Sequence, residues 1–128
     1  MNEDHPLDEL PAGFWDWIAL AKEDSQQFAA QLQSASREKL LKFIWTFEEV
    51  AAEFKYEPYV NYVSDALSED GIDDLAQWIV ERGRAYVYDV FDDPAGMPQR
   101  VDHPDGYLSK AVRAYYKRFG GPVPLRPE

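Results

Sequence analysis

Residues 37–54 read REKLLKFIWTFEEVAAEF. Within them Leu40, Phe43, Ile44, Phe47, Val50, Ala51 and Phe54 recur at steps of three and four. That period keeps every apolar side chain on one continuous stripe of an α-helix. The stretch therefore predicts a helix from Arg37 to about Tyr56 that is buried along one side. Ser36 stands just before it, where a short hydroxyl side chain can accept an N–H of the first turn. Glu38 and Lys42 form an acid-to-base pair at i, i+4.

The same period extends outward in both directions. Phe14, Trp17, Ile18 and Ala21 predict a first helix, and Phe28, Ala29 and Leu32 a second, shorter one. Pro6, Pro11 and Gly13 mark residues 1–13 as an extended lead-in. C-terminal to the central helix, Pro58 permits a new helix start, and Tyr59, Tyr62, Val63, Ala66 and Leu67 again repeat at helical spacing. Ser68-Glu69-Asp70-Gly71 reads as a turn. Ile72, Leu75, Ala76 and Ile79 resume the period, with Gly83 placed as a C′ residue. Tyr86, Val87, Val90 and Phe91 add two turns before Asp93-Pro94 stops them. Ala85–Val90 is the one segment with any strand character. Residues 94–106 form a proline- and glycine-rich loop, and Tyr107–Phe119 a last helix ended by Gly120-Gly121-Pro122. The expectation is an all-α fold: one compact domain of about six helices over residues 14–128.

The chain has 128 residues, no cysteine, 45% hydrophobic residues and a net charge of −11. The size suits a single domain, and the composition is too apolar for intrinsic disorder. Lack of cysteine excludes disulfides, zinc fingers, iron–sulfur clusters and thiol nucleophiles. The charge argues against direct nucleic-acid binding and against docking on an anionic membrane. It is unevenly spread: residues 1–99 carry 21 acids and 7 bases, residues 100–128 only 3 acids and 6 bases. The N-terminus has no apolar signal segment, and no apolar run reaches membrane-spanning length. The expected location is the cytoplasm.

Phe14-Trp15-Asp16-Trp17-Ile18, the Leu40–Phe54 helix, Ser68-Glu69-Asp70-Gly71-Ile72 and Trp78-Ile79-Val80-Glu81-Arg82-Gly83-Arg84 together resemble the bacterial family catalogued as domain of unknown function 4240. Asp93-Pro94 and the tyrosine-rich end, Tyr115 through Gly120 and Pro124, are similar too. The resemblance covers roughly Phe14 to Pro124. Tyr59 to Leu67 departs from the family's Leu-Trp-Gly-Ala-Ala-like stretch, and Leu75 stands where an aromatic is common. The resemblance implies a helical scaffold and no established reaction.

No sequence pattern points to catalysis. His5 and His103 each precede proline in a loop and read as solvated residues, with no His-Glu-x-x-His spacing. No Gly-x-Ser-x-Gly elbow, Gly-x-Gly-x-x-Gly or Walker sequence is present. Neighbouring acids such as Asp73-Asp74 diverge on a helix and suit its first turn. Lys110, Arg113, Lys117 and Arg118 make one basic face. Aromatic residues carry the strongest interaction signal, since Trp and Tyr anchor interfaces as well as filling cores. The interaction candidates are Trp15, Trp45, Tyr59, Tyr62, Asp70, Trp78 and Arg84, with Arg84 expected to contact Asp70 or Asp93. No catalytic residue, metal or cofactor is expected. The leading expectation is a non-catalytic acidic domain that binds another, basic protein, as an immunity or antitoxin-like protein would. The alternative is a ligand-binding or enzymatic helical domain whose inter-helix pocket holds Asp70 or Arg84. Charge mimicry near DNA is a third reading.

Overall fold

A computed structural model describes residues 5–11, 13–63, 67–98 and 103–127. Among the described residues six α-helices follow one another: α1 Gly13–Glu23, α2 Ser25–Ser34, α3 Arg37–Glu53, α4 Glu69–Glu81, α5 Arg84–Asp92 and α6 Tyr107–Phe119. No strand occurs among the described residues, and Ala85–Val90 lies within α5. Among the described residues, no helix is long and apolar enough to cross a membrane.

Helix α3 is the centre. Leu40, Ile44, Phe47 and the following Phe54 are wholly buried, as the stripe requires. Helices α4 and α6 pack on α3, α1 on α2, α2 on α6, and α5 on α4. One core results, with Phe14, Phe28, Phe43 and Phe47 in a chain of ring contacts at 5.5 to 6.1 Å. Caps fix the helix starts. Asp24 accepts from Gln26 and Gln27 N–H, both at 3.1 Å, and Ser36 Oγ accepts from Lys39 N–H at 3.2 Å. Gly120, at φ 74°, supplies the left-handed residue that ends α6.

Four local expectations are corrected. Residues 6–9 are not extended: Pro6–Glu9 form a 3-10 turn, capped by the His5 side chain and by Asp8 reaching back to the His5 N–H. Pro6 suits this because its fixed φ matches a first helical position. Ser68–Gly71 is not a turn but the start of α4. Ser68 Oγ accepts from Gly71 N–H at 3.1 Å, and Glu69 and Asp70 fall in the first turn, where anions favour the helix dipole. The helix expected after Pro58 is only a 3-10 turn, Tyr59–Tyr62; Ala66, which it was to include, lies outside the described residues. Glu38 and Lys42 form no ion pair among the described residues; both are exposed on α3, where such a pair gains little. In the proline-rich loop, Pro94–Gly96 make another 3-10 turn.

Candidate functional site

Three polar junctions hold distant segments against the helices, and the candidate residues divide among them.

The first is buried. Glu81, at the end of α4, is 0% exposed. Its Oε1 accepts from Asp105 N–H at 2.7 Å, and its Oε2 from Gly106 and Tyr107 N–H at 2.9 and 3.1 Å. Helix α6 starts after Gly106, at φ 90° and without a side chain to cap it. Its orphan N–H groups must find an acceptor elsewhere, and Glu81 provides one from another helix. Burial pushes the Glu81 carboxyl above its ordinary value, and the three N–H bonds pull it back only in part. Tyr107, beside it, is pushed up to about 12, chiefly by burial and then by the nearby Asp105 and Glu81 charges. Trp78 borders this junction. It is half-buried, edge-on to Tyr86 at 5.7 Å, with the Arg82 guanidinium 4.5 Å from its ring centre. Arg82 also reaches Asp105 at 3.3 Å.

The second junction clasps the N-terminal turn to α5. The His5 ring stacks on Tyr88 at 4.2 Å, and its Nε2 lies 2.8 Å from Asp92 Oδ1. Its Nδ1 accepts from Leu7 N–H at 3.1 Å. That acceptance requires the tautomer with the proton on Nε2, which then donates to Asp92. His5 is therefore a built contact, not the solvated loop residue its sequence setting suggests. His103 remains exposed, its side chain at 97%, with Asp74 at 3.8 Å. Asp8 accepts from the Tyr88 hydroxyl at 2.5 Å and meets Arg84 at 3.4 Å. The Tyr88 hydrogen bond, then the His5 N–H, hold the Asp8 carboxyl below its ordinary value. Arg84 thus pairs with Asp8 rather than Asp70 or Asp93, because the N-terminal turn folds back over α5. Trp15 packs on Phe14 at 4.8 Å and near Tyr88 at 6.4 Å. Its Nε1 is buried without an acceptor among the described residues.

The third junction lies along α3. Trp45, Glu49 and Glu53 succeed one another at i, i+4 and i+8, which places them on one side of the helix. Trp45 Nε1 donates to the Pro124 carbonyl at 2.8 Å, and Arg126 pairs with Glu49. The C-terminal tail is thereby drawn onto α3. Beside it is an open cavity of about 420 Å³, lined by Leu7, Leu10, Val50 and Phe91 and edged by Glu49 and Glu53. Tyr59 packs behind the cavity's Phe91, its ring 6.1 Å from that of Phe91. Its ring is buried against Phe54 at 5.0 Å, and its hydroxyl donates to the Phe91 carbonyl at 2.7 Å. Burial, with the Glu53 and Asp92 charges after it, pushes the Tyr59 hydroxyl up.

The structure does not gather the seven candidates into one site. Trp45 holds the tail on α3, Tyr59 is tied to Phe91, Trp15 and Arg84 belong to the N-terminal clasp, and Trp78 sits at the α4 end. Tyr62, 44% exposed, and Asp70, exposed in the first turn of α4, stand apart. Neither Asp70 nor Arg84 lines the groove along α3. None of Glu49, Glu53 and Glu81 is among the seven interaction candidates. Spacing from Trp45 finds the first two, whereas no local signal marks Glu81. Among the described residues, no group of three His, Asp or Glu side chains is placed to hold a metal ion. Comparison with protein-family models, with curated proteins and with solved structures found no match to this chain.

Proposed function

We propose that this chain is a non-catalytic interaction domain whose acidic α3 face binds a basic segment of a partner protein. The observation that carries the reading is the chain's own tail. Arg126 sits on Glu49 while Trp45 holds the Pro124 carbonyl. The face thus already takes an extended, proline-containing segment by its guanidinium and its backbone. Next to it, Glu53 and an apolar floor of Leu7, Leu10, Val50 and Phe91 stay open. An acidic rim around an apolar floor suits a cationic chain with apolar side chains, and the charge of −11 steers such a partner in. An immunity or antitoxin-like role in the bacterial cytoplasm is the concrete form of this proposal. Kinship with the domain of unknown function 4240 family, on the Trp78–Arg84 segment, belongs to it and brings no reaction.

The test is a 1H–15N NMR titration with a short Pro/Arg peptide. The reading expects saturable shifts at the Trp45 indole, Val50 and Phe91, weakened by salt and lost in Glu49→Lys/Glu53→Lys. Shifts spread over all acidic helices and unchanged in that variant would mean unspecific charge attraction and would sink the reading.

A further inference from the structure

A second cavity, of about 260 Å³, opens where the start of α1 meets α2 and the first half of α3. Its wall is aromatic. Trp17 lies 4.9 Å from Phe43 at a 32° tilt, and Phe14 lies 5.5 Å from Phe43. Its polar groups are Lys39 and Lys42 of α3, Gln31 of α2 and Thr46.

The two lysines share with Lys110, Arg113 and Lys117 of α6 the lack of a carboxylate partner among the described residues. Lys39 and Lys42 stand three residues apart on one helix face, so their charges repel. The chain holds 24 acids against 13 lysines and arginines. Yet neither lysine pairs with a carboxylate among the described residues. Helix α2, which forms the opposite side, carries no charged residue at all. Gly13, at the mouth, begins α1 and has open space where a side chain would stand. The partial positive charge of that helix start adds to the two ammonium groups. An anionic head between the lysines relieves their repulsion, and a flat apolar body covers Trp17 and Phe43.

We propose that this cavity is a binding site for a small aromatic carboxylate. The volume lies just below the range typical of drug-sized ligands, so it admits one ring and a short acidic arm. It does not hold a lipid chain. Lysine ammonium groups, as point charges, can meet a single carboxylate without a fixed fork geometry. The site is separate from the acidic α3 groove and stands or falls independently of it.

The experiment titrates the full chain with 3-phenylpropionate, followed by NMR, using 3-phenylpropionamide as the neutral comparator. The expected result is saturable shifts at the Trp17 indole, Gln31 and Thr46, with Kd below about 1 mM. The amide binds about tenfold more weakly, and Lys39→Ala/Lys42→Ala lowers carboxylate affinity about tenfold with an unchanged melting temperature. Glu49→Lys/Glu53→Lys leaves this binding in place. No saturable shift up to about 10 mM overturns the proposal, as does equal affinity for acid and amide, or an undiminished affinity in the lysine variant.

Discussion

The Glu81 junction and the Asp8 junction do the same topological task in different surroundings. Each ties a segment distant in sequence to the α4–α5 pair: the start of α6 in one case, the N-terminal turn in the other. Glu81 is wholly buried and gives its oxygens to three backbone N–H groups. Asp8 is open to water, shared among the Tyr88 hydroxyl, the Arg84 guanidinium and the His5 N–H. In the buried case, removing the acceptor strands donors that water cannot reach. In the open case, water replaces what is lost. Equal numbers of hydrogen bonds therefore carry unequal stability.

The largest expected effect is at Glu81. Glu81→Ala should cost about 3–5 kcal/mol, because it leaves the first N–H groups of α6 unpaired inside the protein. Glu81→Gln, which keeps one oxygen, should cost less. Urea unfolding measures both, and a loss under about 1 kcal/mol for Ala would equate the two junctions.

Tyr107 gives the buried junction a pH signature. Its hydroxyl titrates near 10 in the unfolded chain and about 12 in the folded one. Between those values the folded state holds the proton that the unfolded state releases, so stability is full below pH 10 and falls as pH rises through 12. Ultraviolet titration should show several late tyrosines, Tyr59, Tyr86 and Tyr88 beside Tyr107, and Tyr107→Phe should remove one of them. Asp8 runs the other way. Its carboxyl is lowered, so its contribution is present above the ordinary carboxylate value and lost as pH falls through the lowered one. Acidification should free the N-terminal turn, read as faster amide exchange at Leu7.

Trp78→Ala should cost about 2 kcal/mol, between the values for a buried and an exposed ring, since the indole is half-covered by Tyr86 and Arg82. His5→Ala should cost about 1 kcal/mol, the value of a lost cap. His103→Ala should fall within about 0.5 kcal/mol. Thermal unfolding of this pair separates a contact that is built from one that is merely near.

The same contrast explains what was legible in the sequence. The α3 stripe, the Ser36 cap and the bounds of α6 are local patterns, and they appear as expected. Ser68-Glu69-Asp70-Gly71 was misread because serine, acids and glycine serve a turn and a helix start equally well. Pro6 likewise suits an extended chain or a first helical position, and Asp8 decides between them by reaching back to His5. Glu81 was invisible for another reason. Its partners lie 24 to 26 residues away, and α4 shows only an acid beside its apolar stripe. Of the candidate site, Trp45 and Tyr59 were named, but the acids between them gain meaning only once the tail crosses α3.

The proposed function rests on a basic partner binding the α3 face. The most direct measurement compares tagged wild type, Glu49→Lys/Glu53→Lys and Lys39→Ala/Lys42→Ala in capture from the native host, at low and high salt. The account predicts one stoichiometric basic protein on wild type and on the lysine variant, released by salt and absent from the glutamate variant. A partner that binds all three alike, or none at either salt, would contradict it.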